Sequence, residues 1–257
     1  MCNDNENDAM IDEKVRVSLE VCAGDLESVR NAAIGGADRV ELCMALDEGG
    51  LTPSAGMISE ALKVEGIRVH VLIRPREGDF VYSPQEVDAM LTDVEMARRL
   101  GAHGVVIGAL TADGEIDMDV CSRLVRVAGG MDVTFHRAFD RCSDAMTALE
   151  QVVTLGCSRL LTSGCAPSAH SGIDMLAELN RRGAGRISIM AGAGVCPENV
   201  AEILRCTGVC EVHASARELK QEAAGEPLVK MGANDGCARK VTSVRIVSAI
   251  REALTTV

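Results

Sequence analysis

Gly36-Ala37-Asp38-Arg39-Val40-Glu41-Leu42 decides the fold, because the same kind of junction returns three more times along the chain. It recurs as Gly101-Ala102-His103-Gly104-Val105-Val106-Ile107, as Gly156-Cys157-Ser158-Arg159-Leu160-Leu161 and as Gly208-Val209-Cys210-Glu211-Val212. In each, a glycine able to adopt the left-handed conformation closes a helix, a short polar step follows, and an apolar run begins as a buried strand. Further runs at 17–21, 69–73, 133–135 and 187–190 bring the expected strands to eight.

Helix-start signals fill the intervals. Asp25 caps a helix reaching Ala33, Ser54 one through Ala61, and Ser83-Pro84 one through Arg99. Ser143 opens another, Pro197 lies early in a helix carrying Val200 and Ile203, and a last helix is expected over 241–254. Strict alternation of strand and helix fits a TIM barrel or a doubly wound sheet. Eight units in about 240 residues match the usual barrel size. Cys22-Ala23-Gly24-Asp25 lacks the glycine-rich fingerprint that a doubly wound sheet carries after its first strand. The expectation is therefore a single-domain α/β protein, a (β/α)8 TIM barrel over residues 15–257. Residues 1–14, acidic and Asn-rich, read as a disordered tail. Residues 218–240 show little periodicity and read as a long loop after strand eight, either a lid or an ordered surface loop.

Composition narrows the function. The net charge of -12 repels nucleic acid and anionic membrane surfaces. Base stacking has few rings to use, with no Trp, one Tyr and three Phe. No apolar run is long enough to span a bilayer. The eleven cysteines are scattered, odd in number and contain no C-x-x-C pair, which reads as reduced thiols of a cytoplasmic protein, most of them small buried hydrophobes.

Several strand residues are too polar for a barrel wall. Alternation puts Ser18, Glu20 and Cys22 on one face of the first strand, and Arg39, Glu41 and Cys43 on one face of the second. The third aligns His70, Leu72 and Arg74 with Arg76 beyond. The fifth aligns Asp132, Thr134 and His136, followed by Arg137 and Asp140, and the eighth aligns Glu211, His213 and Ser215. Buried charge is costly unless paired, so Glu20 and Glu41 are either satisfied ion pairs or functional acids. Barrel sites lie at strand C-terminal ends, which singles out Arg74, His136, Arg137 and His213. Several guanidinium groups in one pocket indicate an anionic ligand, and Gly192-Ala193-Gly194 after the seventh strand could bring backbone N–H groups to it. No Lys sits at a strand end for Schiff-base chemistry, and no spacing supplies a metal cluster.

Gly36 to Cys43, Glu48-Gly49-Gly50-Leu51-Thr52-Pro53-Ser54, Ile73-Arg74-Pro75-Arg76, Thr134 to Asp140, Leu161 to Gly164 and Ala191 to Val195 together resemble the signature of the CutC copper homeostasis family, in matching order from about Val17 onward. The resemblance implies a TIM barrel, a cytosolic location, self-association into a homo-oligomer, and copper binding, with Cys22 and Cys43 matching the family's proposed copper positions.

Two readings follow. In one, Cys22 and Cys43 capture Cu(I), a soft ion that prefers thiolates. Neighbouring strands lie about 4.8 Å apart, so the sulfurs could approach closely, but barrel shear makes them diagonal rather than level neighbours and leaves their separation open. Alternation turns Met44 away as a third ligand, and two buried thiols packing the barrel mouth is the competing reading. In the other, the chain is an enzyme acting on a small phosphorylated or carboxylated metabolite. Arg74, Arg76 and Arg137 would then hold the anion with Gly192, Gly194 and Ser215. Glu20 or Glu41 would act as acid or base, and His136 or His213 would move a proton.

Overall fold

The computed structural model describes residues 16–221, 229 and 238–255. In chain order, Ser18–Ala23 (β1), Leu26–Ile34 (α1), Arg39–Leu42 (β2), Ala55–Ala61 (α2), Arg68–Leu72 (β3) and Pro84–Leu100 (α3) open the barrel. Gly104–Ile107 (β4), Met118–Ala128 (α4), Asp132–Phe135 (β5), Ala145–Thr154 (α5), Arg159–Thr162 (β6) and Ile173–Gly183 (α6) continue it. Ser188–Ala191 (β7), Val200–Thr207 (α7) and Glu211–Ala214 (β8) complete the ring. These eight strands pair in parallel and close, β8 against β1, into a (β/α)8 barrel.

The start and stop signals act as the sequence suggests. Asp25 accepts from Ser28 N at 2.6 Å, Ser54 accepts from Met57 N, and Ser83 and Glu86 form a reciprocal capping box with Pro84 in the first turn. Gly101 and Gly208 close their helices at φ of 89° and 67°, where a Cβ would strain the backbone. Two expected starts shift slightly. Asp144, not Ser143, caps α5, because its carboxylate accepts from both Met146 N and Thr147 N. Pro197 sits in a turn before α7, which begins at Val200.

The stretch expected to be a loop from 218 to 240 is different at both ends. Arg217–Gln221 (β9) and Ala238–Thr242 (β10) pair in an antiparallel two-stranded sheet, and the last helix is Val244–Thr255 (α8). Charge explains where this sheet sits. Arg239 pairs with Asp25 and Glu27, Lys220 with Glu27, and Lys240 with Asp47, so a basic ribbon lies on an acidic helix start. The part of the stretch between these strands lies, apart from Val229, outside the described residues, as does the expected 1–14 tail.

Apolar side chains fill the space between strands and helices, among them Leu19, Val40, Val69, Val105, Phe135, Leu160, Ile189 and Val212. The barrel interior is polar instead. Arg39 donates to Glu20 and, at 2.6 Å, to Glu211. Glu211 also accepts from Arg159 Nε at 2.9 Å and Ser188 Oγ at 2.8 Å. Arg159 reaches Thr134 Oγ1 at 3.4 Å and lies 3.8 Å from Asp132. The register supports this network, since Glu20 pairs with Arg39 and Met190 with Glu211 on neighbouring strands. Each charge has an opposite neighbour, and that pairing offsets the desolvation of a buried ion. The network forms the floor under the barrel's open end.

Candidate functional site

A cavity of about 820 Å³ opens at the C-terminal ends of the strands. Cys22, Glu41 and His213 lie at its base, from β1, β2 and β8. Across the barrel, His136, Arg137, Asp140 and Arg141 follow β5. Leu72, Arg74, Glu77, Gly78 and Phe80 come from the end of β3 and the loop after it. Asp47, Glu48 and Arg217 stand at the rim.

His213 organises the base. Its Nδ1 lies 2.8 Å from Glu20 Oε1, and its Nε2 lies 3.8 Å from Glu41 Oε2. Burial alone would push the Glu20 carboxyl up, but Arg39 and then His213 overcome it and hold the group ionised, far below the usual carboxylate range. Burial pushes the Glu41 carboxyl up, the charge of Glu20 adds to this, and His213 opposes it only in part. Burial works against a charged His213, yet bonding with the Cys22 thiol and Glu20, and the charge of Glu41, raise it well above its ordinary value. One carboxylate is thus kept ionised and a second is biased toward its acid form, with His213 between them biased toward its charged form. Unlike protonation of neighbouring carboxyls is the arrangement that separates acid from base roles.

The β5 side is built by a tight turn. Arg137–Arg141 form a 3-10 helix whose first hydrogen bond is capped by His136, with Nδ1 accepting from Ala138 N at 3.2 Å. Asp140 anchors this turn to the end of β6. It accepts from Thr162 Oγ1 at 2.5 Å, Ser163 Oγ at 2.9 Å, the backbone N of Ser163 and Cys165, and Arg137 Nε at 2.8 Å. Arg137 also donates to Ser163 Oγ. Arg141 stacks over Phe80 and makes no ion pair with a carboxylate among the described residues. His136 is buried against Phe80, ring centres 4.9 Å apart, and burial, then the nearby charge of Arg74, holds it down to about 3.

The expected residues divide clearly. Glu41, His136, His213, Arg74, Arg137 and Cys22 share the cavity. Glu20 is fully buried beneath His213 and does not line it. Arg74 lines the cavity, but its terminal nitrogens donate to the carbonyls of Glu48, Gly50 and Gly78, so it clamps the surrounding loops. Arg76 points away, into Glu86 at 2.6 Å, Asp79 at 2.9 Å and the Val81 carbonyl, with Tyr82 beneath it. Gly192 and Gly194 do not line the cavity. A Cβ on Gly192 would lie 2.5 Å from Leu161 Cδ1 and 3.3 Å from His213 Cβ, so this glycine makes room for packing. Gly194 takes a φ of 73° in the following turn. Ser215 is exposed outside the cavity. Cys43 is buried with Leu72 and Val106, its thiol 3.5 Å from the Glu41 carbonyl. Burial first, then Glu41 and Cys22, push that thiol well up. Met44 is partly exposed and pairs through its backbone with Leu51. No group of three or more His, Cys, Asp or Glu among the described residues is arranged to hold a metal. Arg141 and Arg217 are the cavity cations that strand alternation missed. Arg141 was visible only as a second Arg four residues after Arg137.

A closed parallel barrel with Glu41 and His213 at the base of its open end and arginines on the turn after β5 defines a (β/α)8 protein with a small-molecule-sized cavity. The chain belongs to the CutC family, whose profile matches residues 17–218. It is 54% identical over 204 residues to a CutC family protein of Bacteroides thetaiotaomicron, covering 79% of this chain and 82% of that one. It is 47% identical over 223 residues to one of Aliivibrio fischeri, covering 85% and 90%. A crystal structure of a CutC protein from Streptococcus agalactiae, described as a candidate copper homeostasis protein, superposes with a TM-score of 0.74 at 36% identity, covering 77% of this chain and 98% of that one. No helix among the described residues is long and apolar enough to cross a membrane.

Proposed function

We propose that the cavity binds a small anionic metabolite and that Glu41 and His213 exchange protons with it. One observation carries the reading: one cavity of about 820 Å³ is lined by Glu41 and His213 on one side and by Arg137 and Arg141 on the other. The size suits a metabolite. Arg141 offers the anion a guanidinium that is paired with no carboxylate among the described residues, and Arg137, held in place by Asp140, lies on the same turn. The unlike carboxyls Glu20 and Glu41 support an acid–base role over simple binding. A panel of phosphorylated and carboxylated metabolites, screened by thermal shift with and without Cu(I), identifies ligands. Hits are then followed by NMR in D2O. Solvent deuterium entering the ligand with the wild type but not with Glu41→Gln supports the reading. Ligands that bind without any Glu41-dependent exchange or turnover overturn the acid–base role.

A second reading keeps copper. Cys22 lies at the end of β1 and Cys43 just beyond the adjacent β2, which supports a two-thiolate Cu(I) site of the kind a soft monovalent ion accepts. Cys43 must lose its proton from a buried position, which weakens such a site. The nine described cysteines are free thiols, in keeping with a proposed reducing cytoplasm, and self-association is proposed with it. A Cu(I) competition titration compares the wild type with the Cys22→Ser, Cys43→Ser double variant. Equal stoichiometry and affinity would exclude this pair.

A further inference from the structure

The geometry points to His136 as a fixed, neutral hydrogen-bond donor to an oxygen of the bound ligand, through Nε2–H, and not as a proton carrier. This rests on the cavity being the ligand site. It adds that the ligand presents an acceptor oxygen, carbonyl or carboxylate, on the β5 side next to its negative charge.

Three observations lead there. The backbone N–H of Ala138 donates to Nδ1 at 3.2 Å, so Nδ1 carries a lone pair and the proton of the neutral ring sits on Nε2. Nε2 is buried, has no partner among the described residues, and belongs to a residue that is 5% exposed and lines the cavity. A buried N–H left without an acceptor destabilises a protein, so a lone donor on a residue that lines the cavity is a group waiting for an oxygen.

The surroundings fix the ring. Phe80 packs on it, Phe135 meets it edge-on with centres 6.0 Å apart, and Gly108 leaves space that a Cβ, 2.3 Å from Cε1, would take. Burial and, among the described residues, the charge of Arg74 both disfavour an imidazolium here. Donation by a neutral imidazole polarises a carbonyl, or holds a carboxylate, without moving a proton. With Arg137 and Arg141 on the same turn, the matching ligand class is a small oxo- or hydroxycarboxylate, or a phosphorylated carbonyl compound.

The test uses the full chain with 15N-labelled histidine, assigned through His136→Gln, and titrated at pH 7 separately with pyruvate, acetate and inorganic phosphate. His136 is expected as the neutral Nε2–H tautomer, and at least one probe should shift its Nε2–H proton downfield. His136→Phe should weaken that probe about tenfold, equivalent to about 1.4 kcal/mol. His136→Gln, which keeps a donor near the Nε2 position, should restore most of the loss. An imidazolium or Nδ1–H tautomer in the free wild type overturns the inference without any ligand. A probe whose binding is lost in Arg141→Ala but leaves Nε2–H unmoved overturns it while the ligand-site reading stands. Failure of all three probes to bind the wild type counts against both.

Discussion

Replacing Arg39 by Met removes the guanidinium that joins Glu20 to Glu211 inside the barrel. Met has similar length and no charge, so the packing volume largely survives while two buried carboxylates lose a partner. Glu211 keeps Arg159 and Ser188; Glu20 keeps only His213. Breaking a buried pair from one side costs about 3–5 kcal/mol. For a domain of this size each kcal/mol lowers the melting temperature by about 2–4 °C, so a drop of about 6–20 °C is expected. The pH dependence identifies the cause. Glu20 is held below its ordinary value of 4.5 in the native protein, so its contribution is present above that value and is lost as pH falls through the native value. The gap between wild type and Arg39→Met, measured by urea denaturation, must therefore be widest near pH 7 and shrink as the pH drops below about 4.5. Replacing Glu20 by Gln as well as Arg39 by Met should recover part of the loss, because Glu211 keeps Arg159 and no buried carboxylate is then left without a cation. A cost under about 1 kcal/mol, or a gap that does not change with pH, refutes the description of the interior as a mutually dependent ion network.

Asp140→Ala strands the donors of Thr162, Ser163 and Cys165 and frees the Arg137 turn. It should cost about 2–4 kcal/mol in chemical denaturation and also abolish anion binding. Gly192→Ala drives a methyl into Leu161 and toward His213, and should cost about 1–3 kcal/mol without adding or removing any ligand contact. His213 has a raised native pKa, so its contribution is full below its ordinary value of 6.5 and is lost as pH rises through the native value. The stability advantage of wild type over His213→Gln should accordingly decline on the alkaline side, as read from melting temperatures in a buffer series.

The barrel was legible because its punctuation is local. Gly101, Gly156 and Gly208 each close a helix at positive φ, and Asp25, Ser54 and Ser83 cap helices where their spacing says they should. The site was legible only as far as strand alternation reaches. Glu41 and His213 lie on strands and line the cavity, whereas β3 ends at Leu72. Beyond that end, Pro75 breaks the alternation, and Arg76 turns to Glu86 at the start of α3. Arg141 escaped notice for the complementary reason: it enters the cavity from a 3-10 turn, which has no period-two pattern. The Gly192–Gly194 pair looked like an anion cradle because close backbone approach to a ligand and close approach to Leu161 demand the same residue. The β9–β10 ribbon left no apolar alternation to read, since charge pairs with Asp25, Glu27 and Asp47 hold it to the barrel.

The central claim is that this cavity holds an anionic small molecule through the turn after β5. Calorimetric titration of the best ligand from the metabolite panel into wild type and into the Arg137→Ala, Arg141→Ala double variant tests it most directly. The account predicts saturable one-site binding to the wild type. Excess ligand, at about a hundred times its Kd, should add about 2.7 kcal/mol of stability, and the folded double variant should show neither effect. Equal affinity for both proteins, or no anionic ligand for the wild type at all, would contradict it.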